Sequence, residues 1–264
     1  MFSAIRQIWH HLVAALYQMG MRHEYKKAGL QKRTTQLSCG HVTYLDSAQH
    51  RQGGQQEAVL MLHGAGAEKD GWVRFAAHLG KAHRLLIPDL PGHGESESNP
   101  EIDFDIHSQA NRVVEFLDNL QVRKVHLIGH SMGGAIAMRI AHLYPDVLTS
   151  LVLIDSAGAE GTPGWLRTVI NKTGKNPLME IETLNDFKRM LEIAMSSPPY
   201  MPAMFLKLLA RRKIARRAID KKIFLDIQRD LNQTATLDQI RIPSFILWGE
   251  EDKVLHVDDA QYLH

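Results

Sequence analysis

The feature that most narrows the folds open to this chain is a short apolar run, ended by a glycine or proline turn and followed by a helix-length segment, that recurs along it. EAVLML (residues 57–62) runs into His63-Gly64-Ala65-Gly66, and helical spacing follows from Gly71 to Gly80. RLLIP (84–88) precedes a long helical pattern from Ile106 to Leu120. KVHLI (124–128) runs into Gly129-His130-Ser131-Met132-Gly133, and the helix that opens at Met132 is stopped after Tyr144 by Pro145. SLVLI (150–154) is a fourth run. Buried runs of about four to six residues alternating with helices define an α/β protein, a mostly parallel sheet with helices on both faces. Ahead of them, residues 34–46 alternate polar with apolar around Cys39-Gly40, the pattern of a β-hairpin.

From Asp155 to about Thr236 this rhythm stops. Helical patterns broken by Pro163, Pro177, Pro198, Pro199 and Pro202 take over, too long and too periodic for a loop, and the sheet resumes only at PSFILW (243–248). The stretch reads as a helical cap inserted between two strands. The chain thus divides into an N-terminal helix (1–24), a core (25–156 and 237–264) and a cap (157–236). In the first segment Phe2, Ile5, Trp9, Leu12 and Leu16 fall at helical spacing, which predicts an amphipathic helix. The expected arrangement packs that stripe on the domain; attachment to a membrane surface is the alternative. His10, His11 and Gln18 interrupt the segment and no small-x-small cleavage site follows, so it reads neither as a secretory signal nor as the run of about 20 apolar residues that spans a bilayer.

Net charge is +2, which gives the molecule no electrostatic reason to seek nucleic acid. Cys39 is the one cysteine, so no internal disulfide forms, and the expected setting is cytoplasmic, with peripheral membrane contact through the cap or the N-terminal helix as an open alternative. There is no His-Glu-x-x-His helix pair and no cysteine pair, so neither a metal nor an organic cofactor is expected.

A serine hydroxyl attacks a carbonyl only where a base can take its proton, and a Gly-x-Ser-x-Gly turn between strand and helix exposes the hydroxyl to both. The pattern around Ser131 follows a strand and opens a helix, the context that gives it meaning. Glycine is needed two positions to either side because the turn brings strand and helix too close for a side chain. Ser131 is therefore the candidate nucleophile. The amide of Met132, at a helix N-terminus, and that of Ala65, in the loop after EAVLML, are candidate donors to the oxyanion. His63 is read as orienting that loop. In Trp248-Gly249-Glu250-Glu251-Asp252 the chain leaves a strand with three carboxylates, of which Asp252 is the candidate to orient a histidine; Asp155, at the end of SLVLI, is the alternative acid.

His-Gly-Ala-Gly, Asp89-Leu90-Pro91-Gly92-His93-Gly94-Glu95-Ser96, Gly-His-Ser-Met-Gly-Gly and Trp-Gly-Glu-Glu-Asp together resemble the α/β-hydrolase family in identity, order and spacing, from about Tyr25 onward. The leading helix, the strand ending Leu-Ile-Asp-Ser-Ala-Gly and the cap resemble its monoacylglycerol lipase and bacterial lipase branch. The resemblance implies an α/β-hydrolase fold and a triad in the order Ser, Asp, His, with the histidine on a loop after one further strand. The chain runs 12 residues past Asp252, and neither that histidine nor the last strand and helix has a counterpart. His256 follows the acid too closely and His264 is the terminal residue, so the expectation is a truncated or fragmentary hydrolase that lacks its base. Removing a triad member costs roughly 10⁶-fold in subtilisin.

Between Lys207 and Lys222 eight Lys or Arg residues face the single acid Asp220, next to the apolar segment 201–206. Such a helix suits an anionic membrane surface or simply a solvated cap face. The expected function is a serine hydrolase of carboxylic esters, with monoacylglycerols or similar lipid esters as substrates. The alternatives are a carbon–carbon bond hydrolase of ring-cleavage products, and a non-catalytic fragment or lipid binder that keeps the fold.

Overall fold

A computed structural model describes residues 2–47, 57–79, 83–159 and 164–264, with the backbone alone for residues 2–6. Gly80, Pro163 and the side chains of Phe2 and Ile5, all used above, lie outside the described residues. In chain order the elements are α1 (Phe2–Lys27), β1 (Gln31–Leu37), β2 (Gly40–Asp46), β3 (Ala58–Leu62), α2 (Val73–Ala76), β4 (Arg84–Pro88), α3 (Ile106–Asn119), β5 (Val125–His130), α4 (Met132–Leu143), β6 (Leu148–Ile154), α5 (Trp165–Thr173), α6 (Leu184–Ala194), α7 (Ala203–Ile227), β7 (Ser244–Leu247) and α8 (Asp259–Leu263).

The strands form one sheet in the order β1-β2-β4-β3-β5-β6-β7. The hairpin β1–β2 and its junction with β4 are antiparallel, and every pair from β4 to β7 is parallel. β3 is buried along its whole length, and its residues alternate between two cores. Leu60 and Leu62 join the larger one, with α3 and α4, while Val59 and Met61 join the smaller one, with Tyr25, Trp72, Leu85 and Ile87. A strand buried on both faces has no polar position to spare, which is why it reads as an unbroken apolar run. α3 starts where Asp105 accepts the Ser108 amide, and it buries Ile106, Ala110, Val113 and Leu117 along one face.

Residues between β6 and β7 supply the helices α5, α6 and α7, while β6 and β7 remain neighbours in the sheet. The helix expected from Gly71 is shorter than its pattern: a single 3₁₀ turn over Lys69–Trp72 leads into the four residues of α2.

The N-terminal helix forms, but it packs the other way round. Trp9, Leu12 and Leu16 are 56%, 53% and 49% exposed, joined on the outer face by Ile8 and Met19, so the stripe expected against the domain faces outward. Val13 is buried instead, the Tyr17 ring meets Phe205 of α7 edge-on, and Tyr25 sits in the smaller core. Aromatic and charged partners on α7 outcompeted the more apolar face: Arg211 bonds His10, and Arg212 lies over the Tyr17 ring.

Candidate active site

β5 delivers the chain to Ser131, which stands at φ 53°, ψ −121° between the last strand residue and the first residue of α4. A side chain at that φ is strained, and the surroundings hold it there. The Ser131 amide donates to the carbonyls of Ile154 and Asp155, both at 3.1 Å, and its carbonyl accepts the amides of Gly134 at 2.8 Å and Ala157 at 3.1 Å. The flanking glycines are required sterically. A Cβ on Gly129 would collide with the Gly133 carbonyl, and one on Gly133 with the Leu62 carbonyl of β3.

The amide loop lies against this turn, since a Cβ on Gly64 would stand 3.1 Å from Ser131 Cβ. Residues 64–67 close on themselves, with the Ala67 amide donating to the Gly64 carbonyl at 3.1 Å and Gly66 supplying the positive φ of 69°. Buried His63 anchors the start. Its Nε2 accepts the Leu90 amide at 3.0 Å, which leaves Nδ1 to donate to the Gly64 carbonyl at 2.9 Å. Burial pushes its imidazole below the ordinary value, so His63 is a neutral tie between loops with both nitrogens engaged.

Lys69 anchors the far end, and sequence reasoning missed it. Its ammonium is 1% exposed, 2.8 Å from Asp89 and 2.9 Å from Glu95, while its own amide donates to Asp89 at 2.7 Å. Burial opposes the charge, but the carboxylates prevail and hold the lysine above its ordinary value. A buried lysine needs such partners, and the acids of Asp-Leu-Pro-Gly-His-Gly-Glu-Ser were the available signal.

A cavity of ≈ 510 Å³ opens over the turn. Ala65, Ser131 and Met132 line its core side; Leu166, Ile170 and Met179 line the cap side. Three of the four expected site residues therefore share one cavity. The fourth, Asp252, does not line it: its carboxylate accepts the amides of Val254 at 2.7 Å and Leu255 at 3.1 Å, and it is those two residues that form the wall. Burial first, and then the nearby Asp155 charge, raise Asp252 above the ordinary carboxylate value, against the pull of its two amide donors. Asp155 accepts the Gly249 amide at 2.7 Å and so ties β6 to the loop that carries Asp252. Among the described residues no histidine is hydrogen-bonded to Ser131 or Asp252. His256 lines the cavity with its Nδ1 engaged by Asp258, 3.2 Å from the amide and 3.3 Å from the carboxylate, and His264 is exposed at the end of α8.

The eight basic residues of α7 divide. Lys207, Arg211, Arg217 and Lys221 are exposed, whereas Lys213 and Arg216 turn inward to buried Asp220. A uniformly solvated or membrane-facing helix does not describe them. No group of metal-binding side chains is found among the described residues.

Residues 57–264 match the α/β-hydrolase fold, and the chain belongs to that family. It is 32% identical over 242 residues to Lipase 1 of Psychrobacter immobilis, covering 89% of this chain and 74% of that protein. It is 29% identical to human monoacylglycerol lipase ABHD6, covering 80% of this chain and 66% of the relative. Among solved structures, the crystal structure of a membrane phospholipase A, described as a bacterial virulence factor, superposes with a TM-score of 0.91 at 31% identity, over 99% of this chain and 83% of that one.

Proposed function

We propose that this chain is a serine hydrolase of lipid carboxylic esters, with monoacylglycerols, after which its ABHD6 relatives are named, the proposed substrate class. The observation that carries the reading is Ser131, held at a positive φ on the floor of a 510 Å³ cavity into which Leu166, Ile170 and Met179 project from the opposite side. In this reading Ser131 Oγ attacks the acyl carbonyl and gives its proton to a base. The oxyanion draws the amides of Ala65 and Met132, the alcohol leaves with a proton, and water releases the acid from the acyl-enzyme. Leu166, Ile170 and Met179 take the acyl chain. In the same reading Asp252 is the acid that orients the base as an imidazole.

The test is hydrolysis of a monoacylglycerol and of p-nitrophenyl butyrate, with a ring-cleavage dienoate as the carbon–carbon competitor. Ester hydrolysis that Ser131→Ala abolishes supports the reading; activity that survives Ser131→Ala, or turnover of the dienoate alone, overturns it.

The division into helix 1–24, core 25–156 with 237–264, and cap 157–236 belongs to the same proposal, as does contact with a membrane surface. No helix among the described residues is long and apolar enough to cross a bilayer. The outward stripe of α1 and the exposed cations of α7 support peripheral docking on anionic lipid. Flotation with phosphatidylcholine vesicles containing phosphatidylglycerol, lost in Trp9→Glu/Leu12→Glu, is the expected result, and equal flotation of both proteins refutes it.

A further inference from the structure

The turn that carries the Ala65 amide is gripped from the core at both ends, by His63 on Leu90 and by Lys69 on Asp89. Its corner is gripped by the cap. Lys213, in the middle of α7, donates from Nζ to the Gly66 carbonyl at 3.1 Å. The same ammonium lies 2.8 Å from Asp220, one of the few acids buried in the molecule at 2% exposure. The approach is off the hydrogen-bonding angle, so the pair is chiefly ionic. Arg216 stands 3.6 Å from the other oxygen of Asp220 and bonds the Gly92 carbonyl. One buried carboxylate thus aims two cap cations at the carbonyls of two core loops.

Gly66 is the left-handed corner of the 64–67 turn, and a Cβ there would strike the Lys213 ammonium. Fixing its carbonyl fixes the plane of the next peptide, and with it the turn whose Ala67 amide returns to Gly64. Ala65 sits between. We infer that Lys213 is a positioning residue: from the cap, and backed by Asp220, it holds the Gly66 corner so that the Ala65 amide stays directed at the reacting carbonyl over Ser131. This rests on the proposed role of Ala65 as an oxyanion donor. It makes the cap part of the catalytic apparatus as well as a wall for the acyl chain.

A positioning role acts on the transition state and spares ground-state binding. Loss of a whole oxyanion donor costs about 10²–10³ in kcat, and loosening one rather than removing it should cost about tenfold. In the 264-residue protein, Lys213→Met is therefore expected to lower kcat for p-nitrophenyl butyrate about tenfold with KM held within about twofold. Hydrogen exchange of the segment 63–69 should quicken while that of α7 stays as it was, and Lys213→Arg should restore most of kcat. An unchanged kcat in Lys213→Met overturns the inference. So does a loss shared by KM and accompanied by faster exchange throughout α7, which marks a merely structural residue. Ser131→Ala separates the two levels: if it is active, the reading of the site fails; if it is inert while Lys213→Met is unaffected, only the role of Lys213 fails.

Discussion

Replacing Ser131 by glycine should make the protein more stable than replacing it by alanine. Alanine keeps the Cβ and with it the cost of φ 53°, ψ −121°; glycine adopts that conformation freely. Both variants lose the hydroxyl, so their difference isolates the backbone. A non-glycine residue in such a sparsely populated region costs about 1–3 kcal/mol. Glycine gives back about 0.4–1 kcal/mol through the larger entropy of its unfolded chain. At the middle of both ranges the net gain of Ser131→Gly over Ser131→Ala is about 1.3 kcal/mol, or about 3–5 °C in Tm for a chain of this size. Four hydrogen bonds from Ile154, Asp155, Gly134 and Ala157 hold the turn in place, so glycine has little room to relax into another geometry. Urea unfolding followed by tryptophan fluorescence, at equal m-values, gives the difference directly. A Ser131→Gly protein no more stable than Ser131→Ala would show that the turn is not strained and that this account of the elbow is wrong.

Lys69→Met strands the buried carboxylate of Asp89 and should cost about 3–5 kcal/mol, part of which Lys69→Met/Asp89→Asn recovers; a double variant no better than the single one counts against the pairing. Burial, assisted by the charge of Asp70, raises Glu68 from 4.5 to about 7. Its contribution to stability is thus full below pH 4.5 and lost as pH rises through about 7, so the Tm advantage of Glu68→Gln over the parent should grow across that interval, and a constant difference refutes the assignment.

How much of this was legible in the sequence follows from the range over which each property is decided. The strands from Ala58 and Arg84 stood out because a strand buried on both faces must be apolar without interruption, whatever its neighbours, and those from Val125 and Leu148 because their apolar runs are only briefly broken, by His126 and by Thr149 and Ser150. The Ser131 turn was legible for the same local reason: glycines at 129 and 133 are demanded by contacts within a few residues and with one adjacent strand. The face on which α1 packs was not. Its pattern gave an amphipathic helix, but whether Trp9, Leu12 and Leu16 turn in or out depended on α7, nearly two hundred residues away, offering Phe205, Arg211 and Arg212 to the opposite side. The basic run of α7 misled in the same way, since charge alone does not say which lysine will find a buried Asp220.

By itself, then, the sequence determined the α/β architecture, the placement of Ser131 between strand and helix, and the loops that frame it, because periodicity and turn sterics are properties of neighbouring residues. Only the tertiary structure decided that Lys69 is buried between Asp89 and the half-exposed Glu95, that Lys213 reaches from α7 to Gly66, and that the apolar stripe of α1 faces outward. Each of these joins elements distant in the chain, and a charge or an apolar face has a definite energy only once the fold has fixed what stands opposite it.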